Sequence, residues 1–285
     1  MKITYLGPSR ATFSAIAFYR MAATFGLQIA GAEEALVSRN EDIVPLVAKH
    51  GGYGAIAMDT KSTGRVDPPV NSFIGLLEDS PKGCPIGIIG ALRMKINFAL
   101  MVRPGVCLRG LEGVTGHPKA IGACRNKLAE LGVSIVEADS NGKAAENVAQ
   151  VSKFSRFGAL APAEAAVKYG LEVLDPAFED EGAVTTFFLL GPRGHKMMMA
   201  PNQQRALLVF SVKHVPGALA KALMPFGDKM LNLIHVHSLF VGNGHYDFAA
   251  EFELGIDQTG DYGDALVAAS EHMGRFIGFG PFPVL

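Results

Sequence analysis

Residues 2–26 have the sequence KITYLGPSRATFSAIAFYRMAATFG, and this stretch decides the fold class. Residues 2–6 are predicted to form a strand that ends at a Gly-Pro turn. Residues 12–26 carry apolar side chains at helical spacing. Strand and helix patterns continue to alternate over residues 28–58. Such alternation is typical of a parallel sheet with crossover helices, so the predicted class is α/β.

Composition excludes several kinds of protein. The chain has 285 residues, of which 49% are hydrophobic and 19% charged, so we expect a globular protein with more than one core. Its 26 Lys and Arg balance 27 Asp and Glu, which argues against a nucleic-acid partner. No signal peptide or membrane span is predicted, and we expect a cytoplasmic protein without a membrane partner.

The three cysteines, Cys84, Cys107 and Cys124, are odd in number and widely spaced. This pattern argues against a disulfide framework and against a zinc site. We expect them to be free thiols in a reducing compartment, and we predict no bound metal.

Further along the chain, the predicted elements divide into units. Residues 1–193 are predicted to form two α/β lobes with a cleft between them. One lobe is expected to contain residues of about 1–78 together with 162–193, and the other residues 79–161. Residues 194–204 have no usable periodicity and are predicted to be a linker. Residues 205–285 have a βαββαβ order that matches the ferredoxin-like plan.

Motifs in the first unit occur in the order known from one family. These motifs are YLGP at 5–8 with TFS at 12–14, IAMDTKSTG at 56–64, GHPKA at 116–120 with Cys124, Ser140 with Ala144-Ala145, YGL at 169–171, and VTTF at 184–187. As an ordered set that covers nearly the whole unit, they resemble the prephenate dehydratases.

The resemblance implies a fold and a reaction. Family members have a two-lobe catalytic domain, similar to periplasmic binding proteins, followed by a regulatory ACT domain. They convert prephenate to phenylpyruvate in phenylalanine biosynthesis, and they need no metal or organic cofactor. The expected activity is therefore that of a carbon–oxygen lyase.

The threonine of the family's TRF motif is implied as the catalytic group. Two alignments, one residue apart, place it at Thr185 or at Thr186. Successive strand residues face opposite sides, so only one of the two can face the cleft. Both alignments leave the family's arginine without a counterpart, because Thr186 or Phe187 stands there.

Two cations are candidates to replace that arginine as substrate-binding groups. Arg10 stands in the opening loop where glycine is expected, and Lys61 stands where the family has serine. The further substrate-binding residues implied by the resemblance are Thr12, Ser14, Asp59, Thr60, Ser140 and Asn141.

The C-terminal unit resembles an ACT domain. Its motif is Val215-Pro216-Gly217-Ala218-Leu219 followed by Asn232-Leu233. The resemblance implies that Pro216, Gly217, Ala218, Leu219 and Asn232 bind an amino-acid effector and that the chain is a homodimer or homotetramer. The family's ESRP motif is replaced by His237-Ser238-Leu239-Phe240, so effector control of the usual kind is not expected.

Two alternatives to prephenate dehydration stay open at this point. One is a relative that decarboxylates prephenate without aromatising the ring, which the loss of the arginine favours. The other is a ligand-binding or regulatory protein that performs no catalysis, since two-lobe clefts and ACT domains both serve as sensors.

Overall fold

The protein, a computed structural model, is described for residues 1–8, 10–60, 64–65, 67–79, 83–194, 203–242 and 245–285. Within these residues the strands are β1 (Lys2–Leu6), β2 (Glu33–Val37), β3 (Tyr53–Thr60), β4 (Gly64–Arg65), β5 (Ile86–Ile96), β6 (Ala99–Val102), β7 (Gly113–Gly116), β8 (Ser134–Glu137), β9 (Phe157–Ala161), β10 (Glu172–Asp175), β11 (Ala183–Pro192), β12 (Gln204–Val212), β13 (Asn232–Gly242), β14 (His245–Leu254) and β15 (Phe276–Pro283). The helices are α1 (Phe13–Thr24), α2 (Ile43–His50), α3 (Asp67–Asp79), α4 (Pro118–Ala123), α5 (Arg125–Leu131), α6 (Asn141–Gln150), α7 (Ala163–Tyr169), α8 (Ala218–Asp228) and α9 (Thr259–Ser270).

The first lobe is built on a sheet in the order β2-β1-β3-β11-β5, with β4 paired to β3. β1 is parallel to β2 and β3, whereas β11 is antiparallel to β3 and β5. Both faces are covered: α1 contributes Phe18 and Met21 to the core on one face, and α2 and α3 contribute Val44 and Phe73 on the other. The predicted α/β class is confirmed.

The second lobe has its own sheet in the order β10-β6-β9-β7-β8. β7 is parallel to β8 and β9, and α6 packs on this sheet through Ala144, Ala145 and Val148. The small side chains of α6 let the helix lie close to the strands, which fixes the position of its first turn.

The boundaries of the lobes differ from the expected ones. β5, which ends at Ile96, pairs with β11 in the first sheet, and β10 pairs with β6 in the second. The chain therefore crosses between lobes at residues 97–98 and 176–182. The first crossing lies beyond the predicted boundary after residue 78, and the second lies beyond the predicted boundary after residue 161. The boundaries were mispredicted because strands that pair in a sheet can lie far apart in the sequence, and such pairing leaves no local pattern in the residues.

One strand of the first sheet also lies outside its predicted range. The sequence pattern favours a strand at residues 28–32, but the strand runs over Glu33–Val37. It is the edge strand of the sheet. Two glutamates begin it, and an edge strand tolerates such charges because one side faces solvent.

The C-terminal unit follows residues 195–202 of the predicted linker, which lie outside the described residues. Its sheet is antiparallel in the order β13-β14-β12-β15, and the βαββαβ element order is as predicted. Helices α8 and α9 cover one face with Phe226 and Tyr262. The other face packs against α3 of the first lobe, where Phe279 contacts Phe73 at 5.4 Å between ring centroids.

Among the described residues, no helix has the length and apolar character needed to cross a membrane.

Candidate active site between the two lobes

A cavity of about 340 Å³ lies between the two lobes. Its apolar wall comes from the first sheet, from α1 and from the crossing between the lobes, and it includes Leu6, Phe13, Ala57, Ile96, Phe98 and Phe187. Its polar wall includes Thr12, Ser14, Ser38, Asn40, His117, Lys119, Asp139, Ser140, Asn141 and Thr185. The division suits a small ligand that has an apolar ring and polar substituents.

Three helices begin at this cavity, and each is capped by a side chain that lines it. Thr12 Oγ1 accepts a hydrogen bond from the Ala15 amide at 3.2 Å at the start of α1. Ser140 Oγ accepts from the Lys143 amide at 3.1 Å at the start of α6. His117 Nδ1 accepts from the Lys119 amide at 3.3 Å at the start of α4. Helix starts favour negative charge, so their convergence favours an anionic ligand.

Asparagines fix the walls of the cavity in place. Asn141 Oδ1 accepts a hydrogen bond from the His117 amide at 3.1 Å, which ties the start of α6 to the start of α4. Asn40 bonds both backbone groups of Ala57, donating to the carbonyl at 2.8 Å and accepting from the amide at 3.4 Å. The hydrogen bond from the His117 amide thus fixes the Asn141 side chain at the border of the cavity.

The alternation of side chains along β11 determines which of the two threonines lines the cavity. Ala183, Thr185 and Phe187 line it, whereas Thr186 and Phe188 lie on the opposite face of the strand. Thr185 is only 6% exposed. Of the two alternatives left open by the sequence, the structure brings Thr185 to the cavity and leaves Thr186 buried on the opposite face, which also carries Phe188.

A β-bulge alters the facing of the predicted residues on β3. Phe187 pairs with Ala57, but Thr186 pairs with Asp59, so one residue is extra between them. Residues opposite each other in an antiparallel pair share a face. Asp59 therefore shares the face of Thr186 and does not line the cavity, contrary to its predicted role.

The neighbouring candidates on this strand are only partly described. Thr60 pairs through its backbone with Thr185, and its side chain lies outside the described residues. Lys61 also lies outside the described residues, so its predicted role stays a prediction.

Arg10 is not brought to the cavity. Its guanidinium lies 5.2 Å from the ring centroid of Tyr19 and 3.6 Å from Glu34, at a separate surface beside β1 and β2. The backbone of Arg10 is left-handed, with φ 54°. The prediction that Arg10 binds substrate is therefore wrong, because its guanidinium contacts Tyr19 and Glu34 outside the cavity.

Lys119 is one of four polar lining residues that the sequence interpretation missed, together with Ser38, Asn40 and Asp139. Among the described lining residues it carries the one lysine or arginine side chain. The motif GHPKA at 116–120 contained the signal, since glutamine stands at this position in the family pattern SHPQALAQC. The sequence therefore showed that a lysine replaces this glutamine near a helix start. It did not show that the lysine lies close to the other motifs in the folded chain.

His117 is neutral in its cavity position. Burial lowers the pKa of His117, and the nearby positive charge of Lys119 lowers it further, while Glu137 and Asp139 oppose the shift. The neutral ring accepts the Lys119 amide at Nδ1, so its proton belongs on Nε2.

The predicted effector residues do not line this cavity; they lie in the loop before α8, in the first turn of α8 and at the start of β13. Gly217 has φ 77°, a conformation that favours glycine, and Pro216 and Gly217 are exposed. Ala218 and Leu219 open α8, and Asn232 Nδ2 lies 3.5 Å from Glu253 Oε2 at the start of β13. The described residues contain no cluster of His, Cys, Asp or Glu suited to a metal ion.

Comparisons with known proteins agree with this architecture. A family model for prephenate dehydratase matches residues 3–195. The prephenate dehydratase of Mycobacteroides abscessus is 30% identical over 256 residues, covering 87% of this chain and 79% of the relative. A solved structure described as GqqA, a novel type of quorum quenching acylase, has a TM-score of 0.81 at 23% identity and covers 100% of this chain and 98% of that chain.

A second solved structure is the prephenate dehydratase of Arthrobacter aurescens in complex with L-Phe. It has a TM-score of 0.80 at 23% identity and covers 99% of this chain and 90% of that chain. Fold and cavity define a two-lobed α/β protein with a ligand-sized cleft. By its family match, the chain belongs to the prephenate dehydratase family.

Proposed function

We propose that this protein is a prephenate dehydratase, a carbon–oxygen lyase of aromatic amino-acid biosynthesis that releases phenylpyruvate. The observation that carries the proposal is the position of Thr185 in the interlobe cavity, together with the family match over residues 3–195. An apolar wall suits the six-membered ring, and three converging helix starts suit its carboxylates.

The proposed reaction removes two groups from the ring. The bond between the ring and its carboxylate breaks, carbon dioxide leaves, and the electron pair enters the ring. The bond from the ring to its hydroxyl breaks at the same time, and the hydroxyl leaves with that bond's electron pair as water after gaining a proton. Thr185 is proposed to pass its hydroxyl proton to this leaving oxygen and to regain a proton from water afterwards.

Other lining residues are proposed to orient the substrate. Thr12, Ser14, Ser140 and Asn141 supply hydroxyl and amide groups near the helix starts, and Lys119 supplies a positive charge for a carboxylate. Lysine binds a carboxylate as a point charge, whereas arginine binds it with a planar fork. The missing arginine of the family is therefore replaced, in this proposal, by a less directional contact.

The C-terminal unit is proposed to be an ACT domain that binds an amino-acid effector and joins chains into a homodimer or homotetramer. β13 supports the second part, since it is an edge strand with exposed Leu233, Val236 and Phe240. The three cysteines are free thiols, which supports a place in the cytoplasm.

Proton NMR of the purified protein with prephenate tests the activity. We expect aromatic phenylpyruvate signals to replace the ring protons of prephenate faster than in a sample without protein. Olefinic ring protons that persist after loss of the ring carboxylate would instead identify a decarboxylase that does not aromatise. Turnover no faster than the spontaneous rate would contradict both activities.

A further inference from the structure

A second cavity, of about 700 Å³, lies where the first lobe meets the C-terminal unit. Its lining comes from the end of α3, the segment before β5 and the residue after β11 on one side, and from α9 and β15 on the other. Its described lining includes neither Thr185 nor any residue of the predicted effector loop.

At this cavity, two arginines form hydrogen bonds across the boundary between the first lobe and the C-terminal unit, one from each side. Arg193, of the first lobe, donates from Nη2 to the Gly278 carbonyl of β15 at 3.1 Å. Arg275, of the C-terminal unit, donates from Nη1 to the Leu77 carbonyl of α3 at 3.3 Å. A guanidinium has five N–H donors in a fork that fits a carboxylate, so one carbonyl uses only part of its capacity.

Among the described residues, Arg275 has an acidic partner within 4 Å, whereas Arg193 has none. Asp247 lies 3.8 Å from Arg275, and the exposed Glu78 lines the same cavity. An anion is therefore attracted to the side of Arg193, while Glu78 offers a partner to a positively charged group of the same ligand.

The rest of the wall is apolar. Leu77 and Ile277 are buried to 5% and 9% exposure, and Leu266 of α9 adjoins them. Cys84 contributes a neutral thiol, because burial raises its pKa. A ligand with an apolar body is therefore preferred to a purely polar ion such as phosphate.

We propose that this junction cavity binds a free amino acid with an apolar side chain. Its carboxylate bridges Arg193 and Arg275, its ammonium group pairs with Glu78, and its side chain packs on Leu77 and Ile277. Such a ligand contacts both units at once, so it stabilises their packing through the end of α3. The inference goes beyond the dehydratase activity and does not depend on it.

Isothermal titration of the full chain with L-phenylalanine, L-leucine and L-tyrosine tests the site, and 2-phenylethylamine, which has no carboxylate, is the negative probe. We expect at least one amino acid to bind, and we expect Arg193→Gln and Arg275→Gln each to raise its Kd about tenfold or more. Arg193→Lys should have a smaller effect, because it keeps the charge and loses the fork.

Two control variants show whether the amino acid binds at this cavity or elsewhere on the chain. Arg156→Gln removes an exposed arginine that also donates to a backbone carbonyl, that of Gly110, and it should leave Kd unchanged. Asn232→Ala changes a predicted effector residue at the start of β13, so binding that this variant removes belongs to the predicted effector site and binding that it leaves unchanged belongs to the junction cavity.

Three results would overturn the inference: none of the three amino acids binds, 2-phenylethylamine binds as well as they do, or Asn232→Ala removes binding while both glutamine variants keep it. Because binding is measured without prephenate, failure here is distinct from failure of the dehydratase assay.

Discussion

At the scale of single residues, β11 offers a matched pair. Thr185 and Thr186 are adjacent, both are buried, and only Thr185 lines the interlobe cavity. We expect Thr185→Ala to lower kcat by about 10²-fold or more, because a positioned proton donor contributes on that scale. Steady-state kinetics with prephenate measure the change.

The neighbouring position and a conservative variant serve as controls for Thr185. Thr186→Ala removes the same atoms from the opposite face and should leave kcat close to that of the unchanged protein, while Thr185→Ser keeps the hydroxyl and should retain most activity. Equal losses in the two alanine variants would mean that the strand as a whole is needed and that Thr185 has no special role.

Lys119 can be tested against another lysine at a helix start. Lys119→Gln restores the residue type of the family motif and should raise KM about tenfold, since a charge-assisted hydrogen bond to a carboxylate is lost. Lys143 on α6 pairs with Glu146 at 2.8 Å and is not among the described lining residues, so Lys143→Gln should not change KM. An unchanged KM for Lys119→Gln would remove Lys119 from the substrate contacts.

His117 predicts a dependence of stability on pH. Its pKa in the folded protein is lowered, chiefly by burial, so the unfolded chain binds more protons as the pH falls below the ordinary value of 6.5. The stability that a neutral His117 contributes is therefore present above that pH and is lost as the pH falls through the folded pKa.

His117→Asn is the variant that tests this assignment, because it keeps a good N-cap and cannot titrate. Denaturant unfolding at a series of pH values on both sides of the ordinary histidine pKa should show the unchanged protein losing stability relative to this variant on acidification. Parallel curves for the two proteins would refute the assignment.

At the scale of elements, the first turn of α6 fixes how closely the lobes approach. A Cβ atom on Gly142 would lie 2.7 Å from Pro8 Cδ and 3.0 Å from the Ala11 carbonyl oxygen, both in the loop between β1 and α1. Gly142→Ala should therefore force the lobes apart and lower kcat/KM, with a loss of about 1–3 kcal/mol in the free energy of unfolding from overpacking.

Gly122 of α4 is the control for this element. A Cβ atom there meets no atom of the described residues within 4 Å, so Gly122→Ala should stabilise the helix slightly and leave kcat/KM unchanged. Activity assays and denaturant unfolding of the two variants distinguish a packing effect between lobes from a general effect of alanine. If Gly142→Ala were as active as Gly122→Ala, close approach at this point would not matter.

The elements also show how far the sequence could predict the site. The caps at Thr12 and Ser140 were predictable as cavity residues, because motif order and helix starts are local signals. The facing of Asp59 was not, because the bulge that turns it away depends on pairing between β3 and β11. The position of Arg10 depends likewise on partners outside the motif, Tyr19 and Glu34, and the strand at Glu33–Val37 depends on its place at a sheet edge.

At the scale of the whole molecule, the first lobe and the C-terminal unit share one core. Phe73 of α3 contacts Phe279 of β15, and Phe188 of β11 contacts Phe282 at 5.1 Å between ring centroids. Such continuous packing predicts that the two units unfold together. Phe279→Ala should cost about 3–5 kcal/mol and reduce amide protection in α3 as well as in β15.

Phe226 of α8 is the matched control for this coupling, since it is equally buried but packs against Phe252 of β14, within the C-terminal unit. Phe226→Ala should lower protection in α8 and β14 more than in α3. Hydrogen exchange followed by mass spectrometry resolves these segments without any substrate. If Phe279→Ala left α3 as protected as in the unchanged protein, the two units would be stable independently, and a ligand in the junction cavity could not act on the first lobe through α3.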